Sequence, residues 1–403
     1  MATAQGTAPG RRRRPGRLVV PTLARHLGIA VLAGIVLLIV TNAIGDYRDY
    51  QLAEVAAYVG AVAGLTVLIG SSGQISIGNG AFMAIGGYLA ALTLAHVHWA
   101  LMTHWPLLVI VPAATVAAAL TGAIFGVAAA RLRGPYLAGA TLMLAIALPA
   151  LATRFQSLLG GDQGLGFFIP VPGSLGLSVS PYRWLAWITC AAALLVLVLL
   201  ANLIRSRVGR SWRAVRDDEI AAALAGLNVA RLQILAFIIT AACAGLGGTL
   251  LAMWNQSVSP GLFSLTLSIQ LLTAAVLGGL GSLAGAIWGS AIVVLPYSYL
   301  QNQAISLGMT ASTSYNIPIL GYGAVLIAVM LAFPAGIGGL LVRLARAAGV
   351  QRAIRRPRAA LTGRAWRPGG PGQGPAQSVP PAAAGHLDQG TRPVTEPQQK
   401  GTP

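Results

Sequence analysis

The sequence predicts an all-α, polytopic membrane protein with about ten transmembrane helices (about eight to ten) and a glycine-broken helix in each half. Three observations carry this. The chain is 56% apolar and only 9% charged, with nine Asp and Glu in 403 residues, where a soluble protein has about a quarter charged residues. Apolar runs such as 184–203 hold no charge and have the ~20-residue length that crosses a hydrocarbon core as a helix. The basic residues, nearly all arginine because Lys400 is the single lysine, fall in blocks between those runs.

The same composition excludes several function classes. With no lysine before position 400 there is no P-loop to hold nucleotide phosphates. If transport is driven by ATP, another chain hydrolyses it. The formal charge of +18 comes from arginines that flank apolar spans. They form no basic face with interleaved aromatics, so nucleic acid is not expected as a partner. Cys190 and Cys243 lie inside apolar spans and read as small packing residues, with neither disulfide nor metal spacing. No nucleophile elbow and no His-Glu-x-x-His motif is present, so neither catalysis nor a cofactor is expected. His96, His98 and His104 cluster with Trp99 and Trp105. No cysteine or carboxylate supports a metal site there, and an interfacial aromatic belt accounts for the tryptophans.

Taken in order, residues 1–25 form a basic tail with Arg11, Arg12, Arg13, Arg14, Arg17 and Arg25. A cleavable signal peptide is the competing reading, but the first apolar run is long and 41–45 is a poor cleavage site. Apolar spans follow at 27–44, 52–70, 76–95, 106–130, 135–158, 184–204, 232–253, 266–281, 284–300 and 315–341. Arginines occupy 131–133, 205–216 and the region beyond 342, while 96–105, 159–182, 254–265 and 301–314 have none. The positive-inside rule then places both termini and the 205–231 loop in the cytoplasm around a transmembrane domain spanning 26–342. About ten crossings satisfy this, and about eight also do if one short pair re-enters from one side. Residues 343–403 are rich in Pro, Gly and Gln and predict a disordered, basic cytoplasmic tail near anionic lipid.

Two segments interrupt the apolar pattern with glycines: 70–88 and 277–289. Irregular backbone survives at membrane depth only where protein or a water-filled cavity covers it. A glycine-interrupted pair, one in each half, points to a translocation pathway, lined here by Gln74, Ser76, Asn79, Gly278, Gly279 and Gly281. Close helix packing between small residues is the other reading. Neutral hydrogen-bonding groups at 74, 76 and 79 suit a zwitterion, and Ser76 is placed to cap a helix whose N-terminus favours a carboxylate. Glu54 and Arg154 are the only candidate charges within the spans, and both fall near span ends. That argues against a proton-coupled carrier.

The 205–231 loop contains its own helix. Asp217 or Asp218 makes a good N-cap, 220–225 is a strong helix former, and Gly226 stops it. A surface linker helix is the plainer alternative.

Glu219-Ile-Ala-Ala followed by Gly226 resembles the coupling loop of ABC importer permeases, the helix that seats in a groove of the ATPase subunit. The context from Ala214 to Arg231, Gly73-Gln-Ile-Ser-Ile-Gly78 with Phe82 and Gly86, Gly160-Gly-Asp-Gln-Gly-Leu165 and Val276-Leu-Gly-Gly-Leu-Gly-Ser282 are together similar to the LivM-type permeases of branched-chain amino acid importers. The likeness runs in order over about 50–340. That family usually has Asn where Thr66 stands, His where Asn79 stands and a basic residue near Gln233. The resemblance implies a bacterial inner-membrane permease subunit that carries branched-chain or related amino acids. It also implies as partners a second, LivH-like permease, two ABC ATPase subunits and an extracytoplasmic solute-binding protein. Arg216, Asp217, Asp218, Glu219, Ala222 and Gly226 would meet the ATPase. A stand-alone carrier or channel for small polar solutes such as urea or amides is the alternative.

The arginine distribution makes a topological prediction. Single cysteines at Ser174 and Ser211, in a background lacking Cys190 and Cys243, label from opposite membrane faces with an impermeant thiol reagent; labelling from one face rejects the arrangement.

Overall fold

The computed structural model describes residues 22–43, 45–96, 107–132, 135–167 and 180–306, with scattered positions between 320 and 331. The basic stretch 1–21, most of the expected span at 315–341, the expected tail at 343–403 and the side chains of the histidine cluster lie outside the described residues.

The helices run α1 (Thr22–Ala43), α2 (Asp46–Val67), α3 (Asn79–His96), α4 (Leu107–Ala129), α5 (Pro135–Arg154), the single turn α6 (Gln156–Leu159), α7 (Pro181–Arg205), α8 (Arg207–Asp217), α9 (Glu219–Leu224), α10 (Val229–Asn255), α11 (Leu265–Gly278) and α12 (Leu283–Ser306). Among the described residues, seven helices are long and apolar enough to cross a membrane, and 79–95 and 265–278 are shorter apolar helices. The molecule is thus an all-α, multi-pass membrane protein. The two shorter helices are those bordering the glycine-rich segments, so the interruptions in the sequence are interruptions in the structure. A two-residue antiparallel pairing of β1 (Leu165–Gly166) with β2 (Ser257–Val258) ties the segment after α6 to the end of α10.

Among the long spans, burial is concentrated in two helices, and the shorter α3 is mostly buried as well. The α2 span is 83% buried and the α10 span 72%, against 11% for α1 and 28% for α4 and α7. The outer helices turn Ile39, Leu120 and Ile124 outward, an apolar exterior suited to lipid. Lipid tails are as apolar as leucine, so helices in a bilayer associate through close backbone approach and not through hydrophobic exclusion. The helices around α10 pack in this way. A side-chain carbon placed on Gly86 of α3 would fall on the Gly245 carbonyl, one on Gly248 on the Met83 carbonyl, and one on Gly122 of α4 on the Ala241 side chain. Threonines stitch the same contacts: Thr240 Oγ1 donates to Gly64 O and Thr249 Oγ1 to Gly86 O, each at 3.2 Å. Both threonines also bond their own helix, to Ala236 O and Gly245 O.

The α2 helix begins at Asp46, not at the apolar run starting at 52, because its first turns are held by polar contacts. Acidic Asp46 and Asp49 suit the positive end of the helix dipole. Asp49 is fully buried and paired with Arg183 of α7 at 3.4 Å, and Trp254 Nε1 donates to Tyr50 O at 3.0 Å. The consequence corrects an expectation: Glu54 is not at a span end but more than two turns inside α2. Arg154 does close its helix, as the last residue of α5.

The packing makes a second prediction. Gly248→Leu, which meets the Met83 backbone, strongly lowers the amount of folded protein. Gly139→Ala, whose new carbon meets nothing within 4 Å, leaves abundance intact and raises the thermal midpoint slightly, since alanine is favoured over glycine in a helix by roughly 0.5–1 kcal/mol. Membrane abundance and a detergent thermal melt read both; equal abundance of the two variants contradicts the packing account.

Candidate functional site

Beyond Val67, α2 widens into a π-helical turn over Leu68–Ser72, which Gly73 ends at φ +74°. Single π turns are rare and concentrate at functional positions. The chain then runs without regular structure through 74–78 before α3 begins at Asn79. Backbone groups in such a stretch need partners from elsewhere, and neighbouring helices supply them. Ile77 N donates to Thr141 Oγ1 of α5, and Gly80 N to Ser268 Oγ of α11, both at 3.1 Å. Gly78 and Gly80 permit this, since a side chain at either would collide with Thr141 or Ser268. The first turn of α3 is therefore wedged between α5 and α11. Ser76 does not cap it, because its hydroxyl has no hydrogen-bond partner.

Gln74, Ser76 and Asn79 are all buried, Ser76 at 0% and Asn79 at 1% exposure. Gln74 Oε1, Ser76 Oγ and both amide atoms of Asn79 make no hydrogen bond, and neither does nearby Thr66 Oγ1. A buried polar group left unpaired costs about 1–3 kcal/mol, which makes this short segment a candidate contact for water or a small solute. The helix N-terminus beside them favours an anionic group such as a carboxylate.

The second interruption is a turn between α11 and α12. Gly279 has φ +97° and Gly281 φ +83°, and Ser282 Oγ accepts from Gly285 N at 3.1 Å. The three glycines singled out here serve different ends. Gly278 packs against Gly285 where α11 and α12 cross, Gly279 shapes the turn, and Gly281 meets the backbone of Gly70. The two interruptions thus touch at Gly70 and Gly281. What α11 brings to the start of α3 is Ser268, a residue the glycine pattern gave no reason to choose.

The loop between α7 and α10 holds two helices rather than one. Ser206 caps α8 by accepting from Val208 N at 3.2 Å. Trp212 and Val215 fix its inner face, with Trp212 Nε1 donating to Leu232 O of α10 at 2.8 Å. Of the two candidate caps, Asp218 caps α9, accepting from Ile220 N at 2.9 Å and Ala221 N at 3.0 Å. Asp217 closes α8 and pairs with Arg216 at 2.9 Å. Gly226, at φ +85°, ends the α9 segment. Glu219 accepts from Gln233 Nε2 at 3.0 Å, which holds α9 to the start of α10. Ala222 turns inward, while Ile220 and Leu224 are 75% and 85% exposed.

Arg216 joins this pair to the interrupted helix. Its guanidinium donates to Gly70 O, and its aliphatic stem occupies the space a side chain on Gly73 would need. One residue therefore connects α8, which leads directly into the exposed α9 segment, to the π turn, and Gly70 also lies against Gly281. The sequence placed Arg216 in the loop but did not reveal its partner. The available signal was the glycine at 73, whose missing side chain makes room for it.

A family model described as the permease component of branched-chain amino acid transport systems matches residues 47–334. The chain is 34% identical over 255 residues to the high-affinity branched-chain amino acid transport system permease protein LivM of Escherichia coli K12, covering 58% of this chain and 58% of that one. It is 30% identical over 291 residues to LivH of the same organism, covering 68% and 89%. To BraD of Pseudomonas aeruginosa it is 28% identical over 242 residues, covering 57% and 77%. The matched region thus spans little more than half the length of the LivM relatives. No solved structure matches.

The Arg216 contact predicts a local effect. Arg216→Ala speeds amide hydrogen exchange across 68–73, while Arg207→Ala, exposed on the same helix, leaves it unchanged. Unaltered exchange in Arg216→Ala contradicts a role for the bond in holding the π turn.

Proposed function

The chain belongs to the branched-chain amino acid transport permease family, and from that premise we propose that it is the membrane-embedded permease subunit of an ABC importer, carrying branched-chain or closely related amino acids. It works beside a second, LivH-like permease, two ATPase subunits and an extracytoplasmic solute-binding protein in a bacterial inner membrane. Both termini and the 205–231 loop face the cytoplasm, and 343–403 is a basic tail outside the transmembrane domain. Support for two related permeases comes from the chain's similarity to both LivM and LivH.

The observation that carries the reading is the Arg216–Gly70 bond. A subunit without a nucleotide site is biased only by a partner that favours one of its conformations. Exposed Ile220 and Leu224 offer that partner an apolar contact, and Arg216 ties the helix pair to the interrupted segment. In this scheme Gln74, Ser76 and Asn79 contact the solute. Asp217, Asp218, Glu219, Ala222 and Gly226 shape the ATPase contact, and Gly278, Gly279 and Gly281 shape the second interruption against which Gly70 moves. A stand-alone carrier is the second reading, and Glu54 inside α2 is what favours it.

Leu224→Arg and Ile220→Asp separate the two. Both sit on an exposed helix, where substitutions alter stability by about 0.5 kcal/mol or less. The importer reading expects normal membrane abundance, lost co-purification with the ATPase and abolished leucine uptake. Undiminished uptake in either variant sinks it.

A further inference from the structure

The α2, α11 and α12 helices, with the loop leading into α11, border an open cavity of about 360 Å³ whose polar lining is Glu54, Tyr58, Ser264, Thr266, Gln270 and Tyr297. The rest of its wall is largely leucine and valine. Its size lies within the few-hundred-Å³ range of small-molecule sites, and its wall is more polar than most of them, with six of eleven lining residues carrying a polar group. It is separate from the segment carrying Gln74, Ser76 and Asn79. On α11, Leu267 and Gln270 line the cavity, whereas Ser268 turns to Gly80 of α3.

Glu54 is the informative member. It is itself half-buried, on a helix whose span is 83% buried, about 12 Å along the axis from the first residue of α2. A charged side chain within a membrane span costs up to about 2.5–3.5 kcal/mol by insertion scales, and such groups persist where they serve a partner. Asp49, on the same helix, has its partner in Arg183. Among the described residues, no ion pair includes Glu54. Tyr58 stands one helical turn further along the same face, and Tyr297 contributes a second ring from α12. A carboxylate flanked by aromatic rings and by amide and hydroxyl oxygens is a set of acceptors suited to a cation, and the rings add attraction to its charge. The aliphatic wall suits hydrocarbon attached to that cation.

We propose that this cavity binds the primary ammonium group of a small amphipathic solute, with Glu54 as its counter-charge. The cavity and its chemistry stand on geometry; that the solute is a transported amino acid rests on the permease reading. The site then recognises the end of the zwitterion that the start of α3 does not.

The test uses the full chain in phosphatidylglycerol nanodiscs, whose headgroups carry no amine. Dicyclohexylcarbodiimide, which attacks carboxyl groups in apolar surroundings, labels Glu54, as read by peptide mass spectrometry, and Glu54→Gln removes that label. Leucine and isoamylamine, at about ten times their Kd, slow the loss of unmodified Glu54 roughly tenfold by occupancy, counting with the acylurea any amide that an amine forms by displacing the urea from the activated carboxyl. Glu54→Asp retains protection by both amines. By contrast, 4-methylpentanoate, with the same hydrocarbon and no amine, leaves labelling unchanged. Equal protection by 4-methylpentanoate, or labelling that follows pH and ignores both amines, overturns the proposal, the second in favour of a proton site. These outcomes are independent of ATPase co-purification, on which the permease reading stands or falls.

Discussion

A polypeptide in hydrocarbon has no water to pair with its N–H and C=O groups, so it must pair them itself. Everything particular about this structure follows from where that constraint is relaxed. An unbroken helix meets it alone, and α7 and α10 do so. The helix through Val67 does not, and side chains from other elements meet the deficit: Thr141 from α5, Ser268 from α11 and Arg216 from α8. The interruption is tolerated because those three donors and acceptors are delivered to it. They in turn are in place because glycines at 73, 78 and 80 let them approach.

The same account explains which parts were legible in the sequence. Among the described residues, the apolar helices and their order could be read from apolar runs, because burial in lipid demands an uninterrupted apolar length. Both interruptions showed as glycine runs, and the α9 helix as a capping acid, an alanine-rich run and a stopping glycine. What stayed hidden were contacts between distant segments. The pattern around 277–289 gave three equivalent glycines, yet only Gly281 meets the other interruption at Gly70. Ser76 had the composition of a cap but not the position of one. The helix Arg207–Asp217 was obscured by its four arginines, which read as loop charge, although Trp212 and Val215 on one face were its signal.

Glu54 was misread for a different reason. An apolar window begins where charge ends, so polar residues at the start of a span are assigned to the loop before it. In this helix Asp46 and Asp49 belong to the span because a dipole and an arginine answer them. That moves Glu54 from the edge of the span to its interior. A hydropathy profile records the average cost of a charge in lipid and does not contain the neighbour that offsets it.

The bond from Arg216 ends on a peptide carbonyl and not on a side chain. Every residue type presents the same carbonyl, so what reaches the interrupted helix from α8 carries no information about which side chains stand at 74, 76 and 79. On the function proposed above, force and selectivity are therefore written in different parts of the molecule. A lineage of such proteins is free to change what it admits, one side chain at a time, without retuning how it is driven. The restriction falls instead on residues with no chemistry of their own: a side chain at Gly70 or Gly73 would fill the gap through which the two are joined.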